Sequence, residues 1–453
     1  MRRPLLGIIL DWLRRHPYSA AATLILGGYL FSYCLSTRSD WDHIYLQAAR
    51  RLVAGDDLFR FADGYAYPPC KALFMIPFLA LPELAQRAAW WVCNAACFVL
   101  LCRWSWRLAG GGRLEGNPAP AWSEHVICLT GLVTGIFYAF NSISNQGTDV
   151  LEAALMMGAC LALLAGRDFL AAAGFGLAAG MKATPLLWVF YLLWKGRWKP
   201  ALWLVAVAVG VNLLPDLVGA CPSAPSWLVA WYQQYLAPMQ RPDYAPGQWG
   251  SMLHLNQSLA GAVNRLFIAD WTWTPDGLAI HRRANPVDAH ALKLVLVAGE
   301  ALLLACCALL WRRRSEPRPS ESDLVTPLPD GRGSDCLEYS MVFLLMLLLS
   351  PMSSKAHFCT LLLPGFAVAR AAWQLRSISI AIWFVSANLI GLLALSWLGK
   401  YTAQVSLYYG AVSIKALLLL IACGSALVVL RRRERQMVCT STGESVELMR
   451  AAA

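Results

Sequence analysis

The sequence predicts an all-α polytopic membrane protein of about twelve transmembrane helices. Two observations carry this. Of 453 residues, 58% are apolar and only 14% charged, against about 25% charged in soluble domains. Apolar runs also recur along the whole chain, and one helical crossing takes roughly 20 such residues. A single anchor cannot account for so large a deficit of charge, so the chain reads as one membrane domain over residues 1–435, followed by a disordered cytoplasmic tail at 436–453.

The elements follow in order. Met1–Ser19 is basic and amphipathic and leads into a retained first span at 20–36, since no small-x-small cleavage motif introduces a soluble domain. Further spans fall near 87–105, 125–140, 150–166, 168–182, 183–194, 200–216, 290–311, 338–350, 357–372, 377–397 and 409–430. The apolar piece Lys71 to Leu81 is too short to cross and is interrupted by Pro77 and Pro82. It reads as a re-entrant or interfacial segment. Basic residues set the orientation. Arg2, Arg3, Arg14, Arg15, Arg103, Arg107, Arg113, Lys195, Arg197, Lys199, Arg312, Arg313, Arg314 and Arg431 to Arg433 all share one side in an alternating topology. That side is the cytoplasm, with both termini inside and the plasma (inner) membrane as the location. Two long outer loops result, at about 37–86 and 217–289. The inner loop at about 312–337, rich in Pro, Ser and Gly, reads as a flexible linker.

The net charge of +11 is absorbed by this topology. No basic run interleaved with exposed aromatics suggests a nucleic-acid partner. The 14 cysteines form no CxxC pair, so no metal site is expected. Cys70 and Cys221 could both face an oxidising compartment; free thiols are the preferred reading over a disulfide between them.

Polar residues gather on the outer side. Trp41, Ile44, Tyr45, Ala48 and Leu52 recur at helical spacing, which suggests a helix lying along the membrane surface with Asp40 at its start. On position alone Asp40 is a helix cap. Tyr65-Ala66-Tyr67-Pro68-Pro69 reads as an extended turn. Asn145, Gln146 and Asp149 separate the third and fourth spans. Lys182 ends the fifth, where a lysine can snorkel or neutralise a phosphate. His254, Asn256, Gln257, Ser258 and Arg265 lie in the second outer loop. Ser350-Pro351-Met352-Ser353-Ser354-Lys355-Ala356-His357 joins spans nine and ten. Taken singly each has a plain structural reading. Together, carboxylates, cations and histidines at one end of a bundle can line one cavity, and that cavity suits sugar transfer from a lipid phosphate. Such transfer needs a carboxylate to accept the acceptor's proton and cations to hold the phosphate. A transporter or lipid flippase is the alternative, but it calls for polar helices broken at mid-membrane, and no internal repeat is evident.

The order Asp40, Tyr45, Ala48, Gly55-Asp56-Asp57-Leu58-Phe59, Tyr67-Pro68-Pro69, Asn145-Gln146, Lys182-Ala183-Thr184-Pro185, Asn256-Gln257-Ser258 and Ser350-Pro351-x-Ser353 to His357 resembles glycosyltransferase family 87 from about residue 38 to 365. That family includes polyprenol-phosphate-mannose-dependent mannosyltransferases with a GT-C fold. The chain departs from the family pattern in three places. Ser354 stands where relatives have Trp, Ala356 where they have the first His, and Asn145 where they often have Gly. The resemblance implies a GT-C-like bundle and inverting transfer of a hexose, mannose first, from a polyprenyl-phosphate-linked donor to a lipid or glycan acceptor outside the cytoplasm. It implies a catalytic aspartate in the first outer loop, matched by Asp40 with Asp42 as the other candidate. Substrate would meet Tyr67, Gln146, Lys182, His254, Asn256, Gln257, Arg265 and His357. Lys182 and Arg265 would hold the donor phosphate and His357 would orient donor or acceptor. No cofactor is expected, and a divalent metal is not demanded.

Overall fold

The computed structural model describes residues 26–32, 34–36, 40–59, 64–111, 121–241, 254–311 and 332–452. The start of the first expected span, at 20–25, and most of the loop expected at 312–337, at 312–331, therefore lie outside the described residues.

The first long loop opens with a π-helical turn, Trp41–Tyr45, that runs into an α-helix, Leu46–Ala54 (together α1). Trp41, Tyr45, Ala48 and Leu52 are buried, so the expected apolar face exists, and it packs against protein. Gly55, with φ 70°, ends the helix in the left-handed region that glycine adopts without cost. Pro68 and Pro69 then stop and restart the chain, and α2 (Cys70–Met75) continues as a 3-10 turn over Ile76–Ala80.

The bundle follows: α3 (Glu83–Leu108), α4 (Ala121–Ser144), α5 (Asp149–Leu164), α6 (Asp168–Met181), α7 (Leu187–Trp194, after a 3-10 turn at Thr184–Leu186) and α8 (Trp198–Leu213). In the second long loop come α9 (Trp227–Trp231) and α10 (Leu259–Ile268), then α11 (Ala289–Leu310), α12 (Arg332–Leu348), α13 (Leu362–Leu375, after a 3-10 turn at Lys355–Leu361), α14 (Ile378–Leu393), α15 (Lys400–Tyr408) and α16 (Ala411–Ala452).

Among the described residues, six helical stretches are long and apolar enough to cross a membrane: Glu83–Leu108, Trp122–Ser144, Trp198–Leu217, Ala289–Leu310, Lys355–Leu375 and Ala411–Arg433. Five further expected spans are helices of 8 to 17 residues. At 1.5 Å per residue, α5 is about 24 Å long and α6 about 21 Å, short of a hydrocarbon core of roughly 30 Å.

Three stretches depart from the sequence expectation. A two-stranded antiparallel hairpin, β1 (Ala269–Thr274) and β2 (Gly277–Arg282), pairs Ala269 with Arg282 through Thr274 with Gly277. Its alternating Trp and Thr residues favour strand, and Pro275-Asp276 supply the turn, with Gly277 opening β2 at φ 125°. α12 begins at Arg332, which shortens the inner linker. α16 continues to Ala452 across the tail expected to be disordered; this stretch contains no proline to break it. Cys70 and Cys221 are both free thiols.

Close helix contacts rest on small residues. On α4, a Cβ on Gly131 would sit 2.4 Å from the Phe366 ring, and one on Gly135 would sit 2.6 Å from the Leu362 backbone nitrogen of α13. This Gly-x-x-x-Gly spacing lets two backbones approach without a hydrophobic driving force between them. It fixes α13, and with it the 3-10 turn that carries His357, against α4.

Candidate functional site

The α4–α5 turn builds the centre of the site. Gln146 lies in the left-handed region at φ 53°, an uncommon conformation for a residue with a Cβ, and its carbonyl accepts from the Trp90 indole at 2.8 Å. The turn delivers Thr148, Asp149 and Glu152 to one face of the first turn of α5, where residues three and four apart are neighbours.

Two lysines from distant segments meet these carboxylates. Lys182, just past α6, is 2.9 Å from Asp149 and 3.9 Å from Glu152. Lys71, on α2, is fully buried. Its ammonium lies 2.8 Å from Glu152, donates to Thr148 Oγ1 at 2.8 Å and stands 3.4 Å above the centre of the Tyr67 ring. Buried ions persist only when paired and hydrogen-bonded, and both are satisfied here.

His357 completes the cluster. Its Nδ1 accepts from the Ser354 backbone N–H at 3.2 Å, which leaves the proton on Nε2, 3.4 Å from Asp149 Oδ1. The Ser354–His357 capping box thus fixes both the ring and its tautomer. Asp149, Glu152, Lys182, Thr184, Ser353 and His357 line a cavity of about 30 Å³, room for a water-sized group. A larger cavity of about 820 Å³ lies at the opposite end of α5, away from these groups.

Asp40 adjoins the same cluster. Its backbone N–H donates to the Asn145 carbonyl at 3.3 Å, which ties the start of α1 to the α4–α5 turn. Although it occupies the cap position of α1, its side chain makes no capping hydrogen bond. Burial pushes its carboxyl up to about 6 and the charge of Asp149 adds to this, while Lys71 opposes. A half-buried carboxylate with such a value is suited to accept a proton near neutral pH. Asp42, one turn position on, is committed elsewhere: Arg87 holds it at 2.9 Å and also binds Glu83.

The second-loop residues form a separate network. Arg265 is fully buried, and its guanidinium donates to the carbonyls of Tyr408 at 3.0 Å, Asn256 at 2.6 Å and Leu407 at 3.2 Å. These bonds clamp three backbone carbonyls. Asn256 Oδ1 accepts from the Ser258 and Ser353 N–H groups, and its amide donates to the Pro351 carbonyl. Gln257 donates to the carbonyls of His254 and Leu407 and accepts from the Val412 N–H. Its own N–H donates to the Ser353 carbonyl at 2.6 Å. The Asn-Gln-Ser motif therefore staples the loop before α10 to the loop carrying His357. His254 lies near Lys355 and Arg265, and burial lowers its affinity for a proton.

The structure thus brings together Asp40, Tyr67, Lys182 and His357. It supports them through Gln146, Asn256, Gln257 and Arg265, and leaves Asp42 in its own ion pair. Sequence alone singles out neither Lys71 nor Glu152, and it notes Asp149 only by position. The available signals are a lysine within an otherwise apolar stretch and an acidic pair three apart at a helix start.

Compared with known sequences, the family model for glycosyltransferase family 87 matches residues 65–326, more than half of the chain. The matched stretch holds Tyr67, Lys71, Gln146, Asp149, Glu152, Lys182, His254, Asn256, Gln257 and Arg265, while Asp40, Asp42 and His357 fall outside it. No curated protein and no solved structure matches the chain.

Proposed function

The chain belongs to glycosyltransferase family 87, and from this premise we propose that it transfers a hexose, mannose first, from a polyprenyl-phosphate donor to a lipid or glycan acceptor on the extracytoplasmic face. Family membership makes it a glycosyltransferase. The donor, the sugar, the side of the membrane and the residues' roles are our reading. One observation carries it: Asp40, Lys71, Tyr67, Asp149, Glu152, Lys182 and His357, drawn from separate segments, meet at one end of the bundle.

In this reading Asp40 is the general base. It takes the proton of the acceptor hydroxyl as that oxygen attacks the anomeric carbon from the face opposite the phosphate, with inversion. The bond from the anomeric carbon to the phosphate oxygen breaks, and the lipid phosphate leaves as an anion that needs no proton. Lys182 stabilises that anion, with Asp149 holding the ammonium in position between turnovers. His357 Nε2–H donates to a phosphate or hydroxyl oxygen. Lys71 stays in its pair with Glu152 and sets the field at Asp40.

The test is transfer from labelled polyprenyl-phosphate mannose in membranes. Asp40→Asn is expected to lower the rate by about 10²–10⁴, while Asp42→Asn keeps it within about tenfold, since that carboxylate serves Arg87. A base must be ionised, so the wild-type rate should fall as pH drops through about 6. A wild-type rate in Asp40→Asn would remove the proposed base.

A further inference from the structure

At the far end of α5 from the polar cluster lies the cavity of about 820 Å³, bounded by α3, α5, α6, α12 and α13. Its size is that of a ligand site. The floor is made of small residues, Gly158, Ala159, Ala162, Ala173 and Gly174, whose short side chains leave the cavity open above them; Leu155, Leu161, Leu170 and Leu177 form its apolar sides. Among the described residues, three arginines and no carboxylate line it: Arg107, Arg167 and Arg370. Arg370 is compensated from outside the cavity by Glu124 at 2.7 and 2.8 Å. Among the described residues neither Arg107 nor Arg167 has an ion-pair partner. The same end of the bundle carries Lys195 and Arg431, which share Glu338, and Arg197, paired with Asp168; basic residues of this kind are retained on the side of the anionic leaflet in the topology proposed above.

We propose that this cavity is a binding site for one anionic glycerophospholipid, its acyl chains between α5, α6 and α13 and its phosphate on Arg107 and Arg167. An apolar cavity open to lipid fills with hydrocarbon whatever the headgroup. The two uncompensated guanidinium groups select the headgroup, because each presents a planar fork of donors that matches phosphate oxygens. A zwitterionic lipid would bring its own cation to the same rim and gain less.

Native mass spectrometry of the purified full chain tests this, with equimolar phosphatidylglycerol and phosphatidylcholine offered in detergent. Wild type is expected to retain one phosphatidylglycerol with a preference of roughly 30-fold, the factor two arginines give near an anionic headgroup. Arg107→Gln with Arg167→Gln should bring the preference close to one. The matching double Lys variant should keep most of it, and Ala162→Leu should reduce retention of both lipids by filling the floor. Equal retention of the two lipids by wild type overturns the proposal. So does an unchanged preference in the double Gln variant, or recovery of a polyprenyl phosphate in place of phosphatidylglycerol. Should the double Gln variant fail to fold, the wild-type preference and the Ala162→Leu result still decide it.

Discussion

Lys71 and Glu152 show how the site is held at the level of single side chains. Both are buried, the lysine fully, and each is the other's main compensation at 2.8 Å. Removing one charge strands the other in a medium of low dielectric, which costs about 3–5 kcal/mol, whereas removing both trades a pair for apolar packing at much smaller cost. Glu152→Met and Lys71→Met should therefore each lower the midpoint of thermal unfolding in detergent, and the two combined should recover most of the loss. Losses that simply add in the double variant would mean that the pair is not coupled. Residue-scale chemistry is also where the sequence was least legible. A lysine flanked by Cys70 and Ala72 looks like an interfacial residue until α5 brings Glu152 to it. Arg265 looks like a phosphate ligand because its backbone partners, Asn256, Leu407 and Tyr408, are 9 to 143 residues away. Partners distant in sequence leave no local trace.

At the scale of elements, the positions of catalytic candidates follow from helix packing. The α4–α13 contact runs through Gly131, Gly135 and Gly365, and a Cβ on Gly365 would lie 2.5 Å from the Gly131 carbonyl. His357 sits in the turn that leads into α13, so a displacement of α13 is carried to the His357 ring and its Asp149 contact. A shift of about 1 Å in a positioned group can cost on the order of 10²-fold in rate. Gly135→Val is expected to lower transfer by about that factor and to destabilise the bundle, while Gly210→Ala, on α8 with open space at its Cβ, leaves both unchanged. Equal rates in wild type and Gly135→Val would show that α13 does not position the site. Element-scale features were the most legible in sequence. Periodicity and Pro/Gly punctuation place α1, α2, α3 and α11 within a few residues of their observed limits, because local pattern and burial coincide there. The β-hairpin escaped because six-residue strands within a polar loop carry little periodic signal, although Pro275-Asp276-Gly277 after alternating Trp and Thr is a turn signal.

For the whole molecule, the distribution of charge relates the two ends of the bundle to the two faces of a membrane. Asp149, Lys182 and His357 cluster where α5 starts, α6 ends and α13 is entered. Arg167, Lys195, Arg197 and Arg431 lie where α5, α7 and the apolar part of α16 end. Basic residues are retained on the cytoplasmic side, which assigns the first end to the outside in our proposal. The α5–α6 pair is too short to cross a full hydrocarbon core, so water or lipid headgroups must reach inward at one end, and the polar cluster is the end that can accept them at least cost. Accessibility decides the matter. Cys221, a free thiol between α8 and α9, should react with a membrane-impermeant maleimide in intact cells. Lys199→Cys in a Cys221→Ser background should react only after permeabilisation, since exposed Lys199 lies in the first turn of α8, beside Arg197. Labelling of Lys199→Cys from outside would place the basic end of the bundle there. The proposed transfer on the extracytoplasmic face would then lose its geometry, because Asp40 and Lys182 would open to the cytoplasm instead.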